Sequence, residues 1–202
     1  MSHTLIVYGH PYEKSFNHAI LTEITTGLKM AGKSYQVIDL HADGFDPTYS
    51  TEELALYKSG ETVDPLVTKY QKLIDEADSL VILSPIWWGY LTPRIKGFFD
   101  KVMKKPWAYI DSPTGPKGKL RHIRKSWVIT TAIAPKWYLR LIEGNPIKGT
   151  FISTVMKALG LRHARWTHFG QVNRQGNGRH QKFLEKVRAQ AKAFGQEGKA
   201  AE

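Results

Sequence analysis

Between Ser84 and Val102 the chain reads SPIWWGYLTPRIKGFFDKV, which groups Trp87, Trp88 and Tyr90 around Gly89. Large rings beside a glycine, where an apolar run ends, make a flat wall that a backbone can approach closely. The same rings would serve equally well to pack against the core or a partner subunit. Nearer the N-terminus, GHPYEKSFNHAI places His10, Lys14, Ser15 and Asn17 where a strand gives way to a helix. The unpaired N–H groups and dipole of a helix start favour an anion such as a phosphate. His10 and Lys14 add charge or hydrogen bonds. The stretch is neither a P-loop nor GxGxxG. Ser15 also reads as a plain N-cap and His10 as a structural residue.

The elements that must position these residues follow from periodicity. Residues 4–8 (TLIVY) form a short apolar run stopped by Gly-His-Pro, a buried-strand signature. In residues 15–30, Phe16, Ile20, Ile24 and Leu28 share one helical face. Residues 35–40 read as the second strand, 51–58 as a short helix, and Asp64-Pro65 opens a longer helix. Residues 79–84 read as the third strand, followed by the aromatic stretch as a loop. A helix runs from Thr92-Pro93 to about Met103, and residues 107–120 are a Pro/Gly-rich loop. Residues 126–132 are the fourth strand, 149–159 a helix, 162–169 the fifth strand and 178–194 the last helix.

Strict alternation of strand and helix implies a parallel sheet covered on both faces. Five strands in a chain of 202 residues fit the doubly wound order 2-1-3-4-5. In that order strands 1 and 3 flank the topological switch point, so the loops carrying His10 and Trp87 should face one pocket. An anion site beside an aromatic wall there points to flavin mononucleotide or a relative.

Composition narrows the classes. No cysteine is present, which excludes disulfides, thiol nucleophiles, thiolate zinc sites and iron–sulfur clusters, so redox chemistry would need a bound cofactor. Lys and Arg number 29 against 18 Asp and Glu, a net charge of +11. That excess suits a basic surface or a field attracting phosphorylated cofactors. No nucleic-acid-binding motif accompanies it. His41, His163 and His168 lack metal-ligand spacing, since 163 and 168 fall on opposite sides of a strand. No run of about 18 apolar residues occurs, so no membrane span is expected. The start lacks the features of a signal peptide, and a cytoplasmic location is expected. Residues 1–202 read as one domain with a frayed tail from about 196.

HPYEKSFNHAI, DLHADGFDP and SPIWWGYLTPRIKGFFDKV together resemble the NAD(P)H:quinone oxidoreductase family of flavodoxin-like folds. That family includes DT-diaphorase-like, modulator-of-drug-activity-B-like and potassium-efflux-ancillary enzymes. The resemblance spans nearly the whole chain. It implies that His10, Ser15, Phe16 and Asn17 hold the phosphate end of a flavin, that Pro85, Ile86, Trp87, Trp88 and Gly89 lie along the isoalloxazine, and that Thr131 and Ala132 line its other edge. It implies FMN or FAD, with FMN favoured because no adenine-binding signature stands out, and a homodimer with the site at the subunit interface. NADPH or NADH would donate hydride to flavin N5, and a quinone-like acceptor would then bind in the same place, a ping-pong scheme. Lys136 and Arg140 would favour the extra phosphate of NADPH.

DT-diaphorase-like members carry Thr-Gly-Gly after strand 4, whereas this chain has Thr131-Ala132-Ile133, which narrows the space near the ring. Tyr138 sits near a tyrosine proposed to handle charge on the reduced flavin. No histidine follows it before His163, so PKWYLRL also reads as a packing or lid segment. Two other roles stay open: a regulatory partner of a potassium-efflux antiporter, and a flavodoxin-like electron carrier, a class that is usually acidic.

Overall fold

The computed structural model describes residues 3–196. The stretch read as a frayed tail lies outside them, except Gln196, which ends the last helix. In chain order the elements are β1 (His3–Tyr8), α1 (Phe16–Met30), β2 (Ser34–Asp39), α2 (Thr51–Ala55), α3 (Pro65–Glu76), β3 (Ser79–Trp87), β4 (Tyr90–Leu91) and α4 (Pro93–Val102). They continue with β5 (Tyr109–Ile110), β6 (Lys117–Gly118), β7 (Lys125–Thr131), α5 (Lys136–Leu141), a π-helix (Pro146–Met156), β8 (Ala164–Phe169) and α6 (Arg179–Gln196). The main sheet runs β2-β1-β3-β7-β8, every pair parallel. This is the doubly wound order expected, with β7 and β8 as its fourth and fifth strands.

Strand periodicity divides the core between two faces. Leu5, Val7, Leu80, Ile82 and Val128 bury against α3, α4 and the π-helix, through Val67, Phe98 and Phe151. Ile6, Tyr8, Val81, Leu83, Trp127 and Ile129 bury against α1 and α6, through Ile20, Ile24, Val187 and Phe194. The central strands are apolar at consecutive positions because helices cover both faces. Local chemistry sets the helix starts: Ser15 Oγ accepts from the His18 N–H at 3.1 Å, and Asp64 Oδ1 accepts from the Leu66 N–H at 2.9 Å ahead of Pro65.

Three sequence expectations are corrected, and the PKWYLRL segment gains a conformation. The aromatic stretch is a hairpin rather than a loop: β3 continues through Pro85 to Trp87 and pairs back with β4, Trp87 opposite Tyr90. Pro85 hides this continuation, because a proline is unexpected within an inner strand; it stands where β3 ends its pairing with β7, opposite Thr131. The 107–120 loop contains the small β5–β6 hairpin. PKWYLRL includes a short helix, α5. The helix expected at 149–159 starts at Pro146 and is wound as a π-helix, whose looser turn does not match a 3.6-residue period.

A buried ion pair ties the segment just after α4 to α2. Lys104 Nζ lies 2.5 Å from Glu53 Oε1, and both side chains are fully enclosed. Glu53 also accepts from Thr62 Oγ1 at 2.7 Å and the Val63 N–H at 3.0 Å, while Lys104 donates to Glu61 O at 2.9 Å. The charges are therefore extensively hydrogen-bonded, as burial requires.

Candidate active site at the switch point

From β1 the chain turns outward to β2, and from β3 it turns the other way to β7. The divergence leaves a crevice above the carboxyl ends of β1 and β3. Its first loop is stapled to its second. The Gly9 N–H donates to Leu83 O at 3.1 Å, and Thr92 Oγ1 donates to Gly9 O at 3.3 Å. A side chain at Gly9 would meet Ile95 Cγ1 at 2.4 Å, so only glycine lets the loop pass beneath the start of α4. Ser84 Oγ accepts from the Thr92 N–H at 3.3 Å and completes the joint between hairpin and helix.

On this base His10 stands edge-on to Trp87, ring centroids 6.3 Å apart at 65°. The Tyr12 N–H donates to His10 Nδ1 at 3.1 Å, which places the proton of the neutral ring on Nε2. Burial pushes the His10 imidazole below its ordinary range, so Nε2–H is a neutral donor at pH 7. Behind His10, the Phe16 and Asn17 N–H groups open α1 and are left without intrahelical acceptors. Asn17 is buried and its Nδ2 donates to Thr131 Oγ1 at 2.9 Å, which locks the start of α1 to the end of β7. Thr131 stands opposite Pro85 in the β3–β7 register, and the Ala132 N–H donates to Phe169 O at 3.0 Å.

His10, Ser15, Asn17, Pro85, Ile86, Trp87, Thr131 and Ala132 are thus brought to the carboxyl end of the sheet. Phe16 turns away from them, packing on Phe169 at 4.9 Å and His180 at 4.7 Å, where it borders a groove of about 440 Å³ that also includes Arg179. Trp88 and Gly89 form the two-residue turn of the hairpin, with φ of 50° and 75°. Positive φ at both positions defines a type I′ turn, and Trp88 stands fully in solvent. Tyr138 is on α5, edge-to-face with Trp137 at 5.8 Å. A side chain at Gly89 would come within 3.3 Å of Glu143 Oε2, so the hairpin tip borders the segment just after α5. Trp88, Ile133, Trp137, Leu141 and Ile142 are all exposed along this rim.

Residues that sequence reasoning passed over support the loop after β7. Trp166 Nε1 donates to Thr130 Oγ1 at 2.8 Å, and Thr130 lies 2.8 Å from His168 Nδ1. His168 Nε2 is 3.0 Å from Ala134 O, so the proton sits on Nε2 and the Thr130 hydroxyl donates to Nδ1. The relay sets the height of the 132–135 loop over the site. A second group, Tyr8, His18, Asp39 and His41, lines a cavity of about 170 Å³ beside His10. DLHADGFDP carries two of these residues in sequence, but only the β1–β2 register places Asp39 opposite Tyr8.

Residues 2–194 match the family described as flavodoxin-like fold. The chain is 28% identical over 159 residues to NAD(P)H dehydrogenase [quinone] 1 of Cavia porcellus, a match covering 70% of this chain and 58% of that relative's length. NAD(P)H:quinone oxidoreductase from Methanothermobacter marburgensis superposes with a TM-score of 0.81 at 26% identity, covering 96% of both chains. An FMN-dependent NADH-azoreductase from Bacillus anthracis, solved in complex with FMN, shares the fold at a TM-score of 0.76 and 17% identity, covering 96% of this chain and all of that one. Among the described residues no helix is long and apolar enough to cross a membrane. The chain belongs to the flavodoxin-like fold family, alongside relatives named for NAD(P)H-dependent quinone reduction.

Proposed function

We propose that this chain is a flavin-dependent NAD(P)H oxidoreductase that reduces a quinone-like acceptor. One observation carries the reading: the open helix start of α1, the His10–Trp87 pair and the Asn17–Thr131 lock meet at one crevice between β1, β3 and β7. The residues fit a flavin. The Phe16 and Asn17 N–H groups suit its phosphate. Trp87 offers a ring at the crevice, and His10 Nε2–H offers a donor that needs no protonation. Relatives named for NAD(P)H-dependent quinone reduction support this reading.

When bound, the flavin supplies hydride acceptance from the nicotinamide and hydride donation to the second substrate. The protein's part is placement. Asn17 and Thr131 hold the two sides of the crevice at a set width, and Ala132 and Ile133 narrow the acceptor's space relative to a Gly-Gly pair. Tyr138, on α5, is the side chain we assign to meet the acceptor. We favour FMN over FAD, and alternating occupancy of one face over a ternary complex. A second copy of the chain, covering Trp88, Trp137, Leu141 and Ile142, completes the site.

The test is the visible spectrum of the purified protein after adding FMN or FAD, before and after anaerobic NADPH. Flavin bands that bleach on NADPH support the reading, and Trp87→Ala should weaken flavin affinity about tenfold, roughly 1.4 kcal/mol. A protein that binds neither flavin overturns it.

A further inference from the structure

At the β8 edge of the sheet, α5, the start of the π-helix and β8 enclose a cavity of about 270 Å³. Lys136, Arg140 and Lys148 line it beside Trp166. Lys136 is held there, its Nζ donating to Trp166 O at 3.1 Å and lying 4.5 Å over the indole. No ion pair among the described residues takes Lys136, Arg140 or Lys148. Burial lowers the Lys136 ammonium, and the nearby charges of Arg140, Lys148 and Lys186 lower it further, with no carboxylate acting in the other direction. Among the described residues no carboxylate lines this concavity, and like charges gathered around it are stabilised when an anion enters.

The cavity is close to the crevice. Lys136 follows Ala132 through only Ile133, Ala134 and Pro135, a backbone span of at most about 14 Å. The His168–Ala134 contact anchors that connection, and Trp166 joins the cavity wall to the same relay through Thr130. A ligand group entering the cavity can therefore belong to a molecule whose other end lies at the switch point.

We propose that this cavity receives the 2′-phosphate of NADPH, which makes Arg140 and Lys148, with Lys136, the residues that set preference for NADPH over NADH. The proposal rests on the NAD(P)H reading above. A phosphomonoester carries close to two negative charges at neutral pH, and an arginine fork with flanking lysines matches it. NADH brings no group to this place and leaves the cations unneutralised.

The experiment uses the flavin-loaded protein and its Arg140→Ala/Lys148→Ala variant, both side chains being exposed and outside the ion pairs of the fold. Calorimetry compares adenosine 2′,5′-bisphosphate, adenosine 5′-monophosphate and inorganic phosphate. The bisphosphate should bind at least about tenfold more tightly than the monophosphate, and the double variant should erase that difference without shifting the thermal melt. In turnover, the ratio of kcat/KM for NADPH to that for NADH should fall about tenfold in the variant, mainly through KM. Equal binding of the two nucleotides overturns the proposal, as does an unchanged ratio in the variant. Inorganic phosphate binding as tightly as the bisphosphate makes this a free-anion site and also overturns it. Flavin reduction by both nucleotides without 2′-phosphate selectivity sinks this inference alone; selective bisphosphate binding by a protein that holds no flavin sinks the oxidoreductase reading alone.

Discussion

His168 uses both ring nitrogens, accepting at Nδ1 from Thr130 and donating from Nε2 to Ala134 O. Burial holds it below its ordinary range, more strongly than the Ala134 contact raises it. A depressed folded value means the neutral ring contributes stability that is complete above the unfolded value, about 6.5, and is lost as pH falls through the lower folded one. Protonation puts a second donor against the Thr130 hydroxyl and breaks the relay under the 132–135 loop. Acidification through the range below the ordinary imidazole value should therefore change the tryptophan fluorescence before global unfolding, and His168→Gln should shift or remove that step. A fluorescence trace flat down to the unfolding transition would refute the relay's role. Side-chain types alone singled out His10, Asn17 and Trp87 in the sequence as candidates, because a flat wall and a helix start are built from those chemistries. His168 was not legible: its meaning comes from Thr130 lying opposite it across β7 and β8, a register that strand patterns do not reveal.

Periodicity revealed the long elements well and the short ones poorly. The parallel order follows from apolar runs alternating with amphipathic helices, which is why β1, β3, β7 and β8 and helices α1, α3, α4 and α6 were readable. The β3–β4 hairpin, α5 and the start and winding of the π-helix escaped because each is short, proline-interrupted or off the 3.6-residue period. The Glu53–Lys104 pair escaped for a different reason, since its partners are far apart in the chain and each reads as a surface charge. Burial pushes the Glu53 carboxyl up, while hydrogen bonds from Lys104, Thr62 and Val63 outweigh it and hold the group below the usual carboxylate range. Its contribution is present above about pH 4.3 and is lost as pH falls through the folded value. Glu53→Ala strands a buried ammonium and should destabilise by roughly 3–5 kcal/mol, read by urea unfolding. A loss under about 1 kcal/mol would show that Lys104 finds other partners.

Across the whole molecule, two core clusters share one sheet, and we propose on that account that residues 3–196 form a single domain. Part of the net charge of +11 gains a local meaning, since Lys136, Arg140 and Lys148 gather at the cavity beside α5. Trp88, Ile133, Trp137, Leu141 and Ile142 are exposed apolar side chains on the hairpin turn, the loop after β7 and the α5 segment, and the second copy proposed above would cover them. Sedimentation should report a dimer, and Leu141→Glu/Ile142→Glu should shift it toward monomer while leaving far-ultraviolet circular dichroism unchanged. A monomeric native protein would remove the second copy from the proposed site.

Asparagine before glycine is the pair that a type I′ turn prefers, yet this turn has tryptophan there, with φ of 50° and its ring wholly in water. A bulky side chain in left-handed backbone gives up roughly 1–2 kcal/mol. Had selection acted on folding alone, position 88 would carry a small polar residue, so the ring marks a place where durability was traded for contact with something outside the fold. Trp88→Asn should then melt about 2–4 °C higher than the native chain while binding flavin or its second copy more weakly. A variant that melts no higher would mean that the indole already returns its conformational cost within the isolated chain.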